Sequence, residues 1–386
     1  MPIVKLSVLY WAYFSIFGVL FPYAGRYLKS FGFGYEQIGL VMALITGANI
    51  GAPFLIARLS DLTGKRVLLA RISIIFLFIA VFFFNPDKGL AWTYFMAFAI
   101  GISMSMALPQ FEAITLGILG DDKHKYSSVR LWGSLGFLSS VWISGQLLET
   151  LGIEWFRYLQ LGLIVLLFIV TFSIPVEKTS SSHSDAISGS GLEKLFSPTI
   201  LILFFVLMLN QAALAPYNSF ADLYWQQWGL SSFTIGSLLA VAPIAEAALM
   251  ALIPIILFRY GYFPLLVLSL ILGIIRWMVM AWIPDQLSWL ITAQIFHAFT
   301  FGAMHGTAIY LIGHIFVKSQ QGMGQSLYVS LVAGVGLVSG NLVAGSLWKD
   351  GSGAEQVFLL AAGACVVSLI LTLVALKPSQ LKAHLH

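Results

Sequence analysis

Long apolar segments separated by short polar stretches run along the whole chain. Each segment has about 20 residues or more, the length that an α-helix needs to cross the hydrocarbon core of a bilayer. The alternation of apolar and polar positions that marks membrane strands is absent, so the pattern predicts helices. The segments lie at 5–28, 36–59, 67–86, 90–119, 128–150, 154–174, 198–226, 231–258, 262–284, 286–316, 321–348 and 354–376. We therefore predict an all-α integral membrane protein with twelve transmembrane helices.

A short motif recurs in the second half of the chain at the same place in the helical pattern. Tyr27, Gly32, Ile38, Gly39 and Ala43 have identical counterparts 197 residues later. The counterparts are Tyr224, Gly229, Ile235, Gly236 and Ala240. Such parallel duplication is typical of transporters whose two helical bundles move about a central site.

The repeat divides the chain at a hydrophilic stretch between the sixth and seventh segments. We expect six-helix bundles at 1–175 and 198–386, joined by a cytoplasmic linker at 176–197. The stretch is rich in Ser and contains two glycines, a composition typical of flexible linkers.

Composition excludes a soluble fold and indicates an orientation. Hydrophobic residues make up 59% of the chain and charged residues 9%, whereas an average soluble domain has about 25% charged residues. Of the 20 Lys and Arg residues, 14 fall on loops or near span ends on the side of the N-terminus and 5 on the other side, while Arg276 lies in the middle of a span. This bias places both termini in the cytoplasm. The net charge of +4 gives no indication of nucleic-acid binding, and the single Cys365 excludes an intramolecular disulfide.

Several ionisable side chains lie well inside predicted spans. Glu112 is on the fourth helix, Glu246 on the eighth and Arg276 on the ninth. A charge at the centre of a membrane helix costs about 2.5–3.5 kcal/mol on insertion scales, so such residues are rare unless they have a function.

Two helices add polar stripes. Gln294, His297 and His305 on the tenth helix share one face at 100° per residue. The stripe on the seventh helix consists of Gln211, Asn218 and Asp222. Asp222 is close enough to the end of that helix to be interfacial.

These groups are candidates for proton coupling. If Glu246 lies beside Arg276, a substrate that moved the arginine away would favour protonation of the carboxylate, which is the linkage a symporter needs. Histidine titrates near neutral pH. The alternatives are a structural Glu246–Arg276 ion pair, interhelical hydrogen bonds, and a metal site formed by His297, His305 and Glu246. No short-spaced ligand motif supports the metal site, and we expect none.

The loop at 57–66 combines a carboxylate, a glycine turn and two cations, which can hold neighbouring helix ends. A positively charged loop that only sets the orientation is the simpler interpretation. The loop resembles the signature loop of the major facilitator superfamily at Asp61, Gly64, Lys65 and Arg66, and departs from it at two other positions. The resemblance implies a gating role for these residues and the major facilitator fold for the chain.

The fourth and fifth helices carry Glu112 and Arg130, 18 residues apart. Together with the polar residues of the eighth to tenth helices, they resemble the site pattern of the lactose permease family. The resemblance implies that Glu112 and Arg130 bind the substrate and that Phe137 replaces the family's stacking tryptophan. Gln294 and His297 stand where that family has His and Glu, which leaves Glu246 as the principal proton site.

A second resemblance covers nearly the whole chain. The segments VRLWGS at 129–134, YWQ at 224–226, RWM at 276–278 and QIFH at 294–297 are together similar to the phenylpropionate permease family. The resemblance implies a bacterial inner-membrane symporter that uses the proton gradient, without a cofactor, to import an aromatic acid such as 3-phenylpropionate.

The local chemistry leaves the substrate open. An aromatic carboxylate would bind an arginine, Arg276 or Arg130, beside an aromatic wall of Phe137, Trp132 or Trp277. A Glu–Arg pair suits the hydroxyl groups of a sugar or nucleoside better.

Other functions remain as alternatives. A proton-driven exporter would have the same sequence features, and a membrane sensor that binds a ligand without moving it would need output domains that are absent. No nucleophile–base pair, catalytic metal motif or phosphate-binding glycine loop indicates an enzyme or an ATP-driven pump. We expect a monomer in the lipid bilayer whose partners are a small-molecule substrate and protons.

Overall fold

The computed structural model describes residues 2–120, 125–174, 197–317 and 321–381. The described residues form helices joined by short turns and contain no strand. The α-helices are α1 (Pro2–Ser30), α2 (Tyr35–Gly47), α3 (Ala52–Thr63), α4 (Arg66–Phe83), α5 (Leu90–Leu119), α6 (Tyr126–Leu151), α7 (Phe156–Thr171), α8 (Pro198–Gln227), α9 (Ser232–Tyr260), α10 (Tyr262–Trp282), α11 (Leu287–His297), α12 (Met304–Ile315), α13 (Gln321–Leu327), α14 (Leu337–Leu347), α15 (Ala354–Ala375) and α16 (Pro378–Leu381).

Eleven helical segments of the described chain are long and apolar enough to cross a membrane. The helix α6 has 26 residues, which is also long enough, but it is not among these eleven. The all-α membrane fold predicted from the sequence is confirmed.

Three predicted spans are built from more than one element. The second span breaks between α2 and α3. Pro53 lies in the first turn of α3, where backbone amides have no acceptor within the helix, so the missing N–H of proline costs no hydrogen bond. The tenth span contains a π-helix at Ala298–Ala303, and the eleventh contains one at Tyr328–Gly336. A π-helix has more residues per turn than an α-helix, so it rotates the residues that follow it.

The chain forms two compact units. The first consists of Met1–Ser184 with Asn218–Ala240, and the second of Asp185–Tyr217 with Val241–His386. The linker predicted at 176–197 lies, except for Ser197, outside the described residues, so the predicted boundary between the halves stays a prediction.

Close contact between α1 and α6 organises the first unit. A Cβ added to Gly136 would collide with the carbonyl oxygen of Trp11, and one added to Gly18 would meet Ser140. The Ser15 hydroxyl donates to the Gly136 carbonyl at 3.1 Å. Lipid supplies no hydrophobic drive between helices, so small residues and short polar contacts stabilise such a pair.

A buried ion pair joins α1 to residues 218–240 within the same unit. Arg26 Nε lies 3.3 Å from Asp222 Oδ2, and the side chains are 13% and 1% exposed. Arg26 Nη1 also donates to Ser232 Oγ at 2.7 Å, and Gln226 Nε2 donates to the Asp222 carboxylate at 3.2 Å. Asp222 is therefore buried against a cation within the protein. The interfacial position suggested by the sequence stays a prediction.

The second unit contains an apolar core and glycine contacts of the same kind as in the first. Leu203 and Leu207 of α8 belong to a buried cluster with Leu266 and Leu270 of α10. A Cβ added to Gly336 would lie 2.8 Å from the carbonyl oxygen of Met208 on α8. The π-helix that ends at Gly336 therefore packs directly on the α8 backbone.

The substitution Gly136→Val should lower the stability of the protein. The new side chain would press on the Trp11 carbonyl, a backbone atom that cannot rotate away, and overpacking of this kind costs about 1–3 kcal/mol. The apparent Tm of the purified protein in detergent measures the effect. Gly162→Val is the matched control, because nothing lies within 4 Å of a Cβ added there. Equal losses in the two variants would contradict the role given to the α1–α6 contact.

Breaking the Arg26–Asp222 pair should be strongly destabilising, and the two residues should be energetically coupled. Arg26→Gln or Asp222→Asn each leaves one charge buried without its partner, which costs about 3 kcal/mol. The double variant should lose clearly less than the sum of the single losses. Apparent Tm values of the four proteins give this coupling, with Arg157→Gln as a control outside the pair. Additive losses would show that the pair contributes no interaction energy.

Candidate functional site

The first unit contains a polar group that we call the Arg130 cluster, formed by Tyr10, Phe14, Glu112, Tyr126 and Arg130. The Arg130 guanidinium carbon lies 4.1 Å from the centroid of the Phe14 ring and 5.9 Å from that of Tyr10. The Tyr126 hydroxyl donates to Glu112 Oε1 at 3.4 Å. The structure thus brings together two residues that are 18 apart in the sequence, on α5 and α6.

Glu112 and Arg130 are electrostatic neighbours, but they form no ion pair within 4.0 Å. Both side chains are partly exposed. Since neither charge is tied up by direct contact with the other, each can take a polar group of a ligand.

The ring that covers Arg130 is Phe14, on α1. The resemblance to the lactose permease family implied Phe137 in this role, but the described part of the chain shows no ring contact for Phe137. Trp132, offered as part of an aromatic wall, is 46% exposed and absent from the cluster. The binding role of Phe137 stays a prediction. The sequence did contain a signal for Phe14, since Tyr10, Phe14, Phe17 and Phe21 recur at helical spacing on α1.

The second unit contains the Arg276 cluster, formed by Tyr217, Arg276, Gln294, His297 and Thr300. Arg276 is completely buried, and its Nη1 donates to Thr300 Oγ1 at 2.9 Å. The guanidinium carbon lies 4.5 Å from the Tyr217 ring centroid. The Tyr217 hydroxyl donates to Gln294 Oε1 at 2.7 Å, and the Tyr217 and His297 rings are 5.6 Å apart. Tyr217, which the sequence analysis did not select, is the residue that joins the others.

The neighbours of Arg276 differ from those expected. Its contacts are Thr300 and the rings of Tyr217 and Trp277, and Glu246 is not among them. Glu246 is partly exposed, and its Cγ would lie 2.9 Å from a Cβ added to Gly302. Arg276 therefore lies among rings and hydroxyl groups, and the proton coupling expected from Glu246 and Arg276 stays a prediction.

The π-helix at Ala298–Ala303 changes the face predicted for the tenth span. Because it lies between His297 and His305, the rotation of 100° per residue does not apply across it. The rings of His297, Phe301 and His305 instead stack in sequence, with centroids 5.6 Å and 6.1 Å apart. His305 Nδ1 is 2.9 Å from the Tyr328 hydroxyl, at the start of the other π-helix. Phe301 thus lies between the rings of His297 and His305. Tyr217 contacts both Gln294 and His297.

The remaining predicted substrate contacts are dispersed. Gln211 is buried in the second unit. Asn218 lies about two turns further along α8, is partly exposed and belongs to the first unit. Trp277 is completely buried, and its ring stacks on Phe358 with centroids 6.1 Å apart. It therefore belongs to the packed interior and touches Arg276 from there.

The loop after α3 has the predicted glycine turn. Gly64 has φ of 65° and donates its amide to the Ser60 carbonyl at 2.8 Å, which ends α3 in the left-handed conformation that glycine favours. Lys65 is exposed and α4 begins at Arg66. The side chain of Asp61 lies outside the described part of the chain, so the gating role of the loop stays a prediction.

In the described ranges, no group of three or more His, Cys, Asp or Glu side chains is arranged to hold a metal ion. The chemistry available in the two clusters is thus that of charged and polar side chains next to aromatic rings. Such surroundings suit the binding and orientation of a small solute.

Comparisons with known proteins agree with this architecture. A "Probable 3-phenylpropionic acid transporter" of Escherichia coli (strain K12) is 27% identical over 370 residues, 92% of this chain and 94% of that protein. The "Nucleoside permease NupG" of the same organism is 23% identical over 374 residues, 89% of this chain and 87% of that protein. A crystal structure of a NupG mutant superposes with a TM-score of 0.88 at 19% identity, covering 98% of this chain and 100% of that one.

The family assignment rests on a match along most of the chain. The model of the MFS_1 like family matches residues 3–360. The homologues are transporters of the major facilitator type and not enzymes. This chain is therefore a multi-pass membrane transporter that belongs to the MFS_1 like family.

Proposed function

We propose that this chain is a symporter that couples the inward movement of protons to the uptake of a small aromatic acid of the 3-phenylpropionate kind. In this proposal it lies in the bacterial inner membrane as a monomer, with both termini in the cytoplasm. The proton gradient drives it, and no cofactor takes part.

One observation carries the coupling to protons. Glu112 and Glu246 lie within helices of membrane length, and both residues are partly exposed. A carboxylate inside a span is costly in its charged form, which favours a protonated state, yet partial exposure lets it exchange that proton with water. Such a group can bind and release a proton as its surroundings change, which is the step that coupling requires.

The proposed roles of the other residues follow the two clusters. Arg130 and Glu112 contact the substrate, while His297 and His305 belong to the coupling network through the ring stack that ends at Tyr328. The contributions of Phe137, Asn218, Gln211 and Trp277 to binding, and of Asp61, Gly64, Lys65 and Arg66 to gating, are part of the same proposal.

Two findings support an aromatic acid as the substrate. One is the similarity to the probable 3-phenylpropionic acid transporter of Escherichia coli, and the other is the surroundings of Arg130 and Arg276. Arg130 and Arg276 both lie in membrane helices without a carboxylate at ion-pair distance in the described part of the chain. A free carboxylate is the ligand group that arginine binds most strongly, through charge and two parallel hydrogen bonds.

A nucleoside is the second candidate. The observation that favours it is the Tyr126–Glu112 hydrogen bond beside Arg130, since a phenol, a carboxylate and a guanidinium together suit hydroxyl and base edges. A sugar would use the same groups. A proton-driven exporter would use the same residues. It would differ in the direction of the proton gradient that drives movement of the substrate.

Addition of 3-phenylpropionate to de-energised cells in a lightly buffered suspension should raise the external pH, because protons enter with the acid. Glu246→Gln should abolish this alkalinisation, since an amide cannot carry the proton. A pH electrode follows the signal, and cells without the protein correct for passive entry of the undissociated acid.

Glu36→Gln is the matched control, because it neutralises an exposed carboxylate in the first turn of α2 and should leave the signal unchanged. No pH change with correctly folded protein would refute the aromatic acid, and uridine and maltose would then be tested in the same way. Alkalinisation that persists in Glu246→Gln would refute the role of that residue. Uptake supported only by a reversed gradient in inverted vesicles would identify an exporter.

A further inference from the structure

One edge of the Arg276 guanidinium has no hydrogen-bond acceptor. Nη1 is bonded to Thr300, whereas Nε and Nη2 make no hydrogen bond within the described part of the chain. The N–H groups of Nε and Nη2 point in the same direction. This is the edge with which arginine binds a carboxylate through two parallel hydrogen bonds.

The charge of Arg276 is also uncompensated by an anion. The titratable groups recorded around it are Tyr217, Cys365 and His297, and no described carboxylate lies at ion-pair distance. The faces of the Tyr217 and Trp277 rings, at 4.5 Å and 4.2 Å, attract the cation, and the Tyr217 hydroxyl is a hydrogen-bonding neighbour of the guanidinium, but it is neutral, and neither Nε nor Nη2 has an acceptor at hydrogen-bond distance. A completely buried cation without an anionic partner is unfavourable.

The same chain shows how such a charge is normally accommodated. Arg26 is also largely buried over a tyrosine ring, 5.4 Å from the Tyr23 centroid, and its Nε and Nη2 likewise make no hydrogen bond, but the Asp222 carboxylate lies 3.3 Å from its Nε and compensates the charge. Arg276 has the ring contacts without the carboxylate. An anion supplied by a ligand would complete at Arg276 the arrangement that Asp222 completes at Arg26.

Two further buried nitrogens near Tyr217 lack partners. Gln294 Nε2 and His297 Nδ1 make no hydrogen bond among the described residues. Both side chains are joined to Tyr217, the first by a hydrogen bond and the second by ring contact. The amide N–H groups of Gln294, and the imidazole of His297 in the tautomer that carries its proton on Nδ1, are donors that suit an anion oxygen.

We propose that the Nε–Nη2 edge of Arg276 is an anion-binding site that takes the carboxylate of a small organic acid, with Gln294 and His297 as additional donors. Chloride shares the relevant chemistry as an inorganic occupant. The inference rests on the proposed function for the identity of the acid, and it replaces the role of Arg276 as partner of Glu246. It does not depend on proton coupling.

Binding to the purified full-length protein in detergent tests the site. The probes are 3-phenylpropionate, its neutral amide 3-phenylpropanamide, and sodium chloride exchanged for sodium sulfate at constant ionic strength. Titration calorimetry and apparent Tm should show binding of the acid and not of the amide. Arg276→Gln should weaken binding of the acid at least about tenfold, because hydrogen bonds to a charged group are lost. Arg276→Lys should also weaken it, since a point charge lacks the two-pronged edge.

Arg71→Gln is the matched control. Arg71 contacts a threonine and an aromatic ring as Arg276 does, but its Nε and Nη2 already donate to Thr171 at 3.3 Å and 3.0 Å. The control should bind the acid like the unmodified protein. If Arg276→Gln does not fold, Gln294→Glu provides a second test, because an internal carboxylate beside Tyr217 should compensate the charge. That variant should be at least as stable without ligand and should gain no stability from the acid.

The outcomes separate the site from the transport proposal. Stabilisation by chloride that disappears in Arg276→Gln would support the anion site with an inorganic occupant, whatever the transported substrate is. Equal binding of acid and amide, or unchanged affinity in Arg276→Gln, would overturn the inference even if protons enter with the acid. The absence of binding by both anions would overturn it as well. Binding of the acid through Arg276 without proton uptake would support the inference and refute the proposed symport.

Discussion

The need to accommodate charge inside membrane helices governs the parts of this protein that matter for function. Lipid cannot solvate an arginine there and a buried one is shielded from water, so other parts of the protein must supply anions, ring faces or hydrogen-bond acceptors. Arg26 has all three in Asp222, Tyr23 and Ser232. Arg130 has ring faces and a neighbouring but non-contacting carboxylate, and Arg276 has ring faces and one hydroxyl group. The degree of compensation therefore decreases from Arg26 to Arg276, and the proposed anion site lies at the least compensated of the three.

Small residues determine where these charges can sit. The glycines of α6 allow α1 to approach closely, which brings Phe14 over Arg130 next to Gly133. In the second unit, Gly302 allows the side chain of Glu246 to lie against the π-helix of the tenth span, while Gly336 packs the other π-helix on α8. Because lipid does not force helices together, these close backbone approaches determine the rotation of each helix.

The fold was predictable because a span is defined by length and hydropathy, which are local properties of the chain. The side-chain partners were less predictable, because they depend on the rotation of one helix against another. Glu246 and Arg276 were each recognised as intramembrane charges, yet their neighbours are Gly302 and Tyr217. His305 illustrates a second reason. The π-helix before it shifts the register, and no single residue in AFTFGA signals such a segment. Asp222 illustrates a third, because its distance from the end of α8 suggested an interface, whereas its burial depends on Arg26.

The chemistry of Arg276 also separates the substrates suggested by the relatives. A nucleoside or sugar offers hydroxyl groups and base edges, which can accept single hydrogen bonds from a guanidinium but leave its charge uncompensated. An organic acid offers two oxygens that share a negative charge, and so it matches both the geometry and the charge of the free edge. A neutral solute would gain little from a buried cation that is already unfavourable without it, whereas an acid would remove that penalty on binding. The arginine without a carboxylate therefore favours an acid over a neutral solute, on grounds independent of sequence identity to any relative.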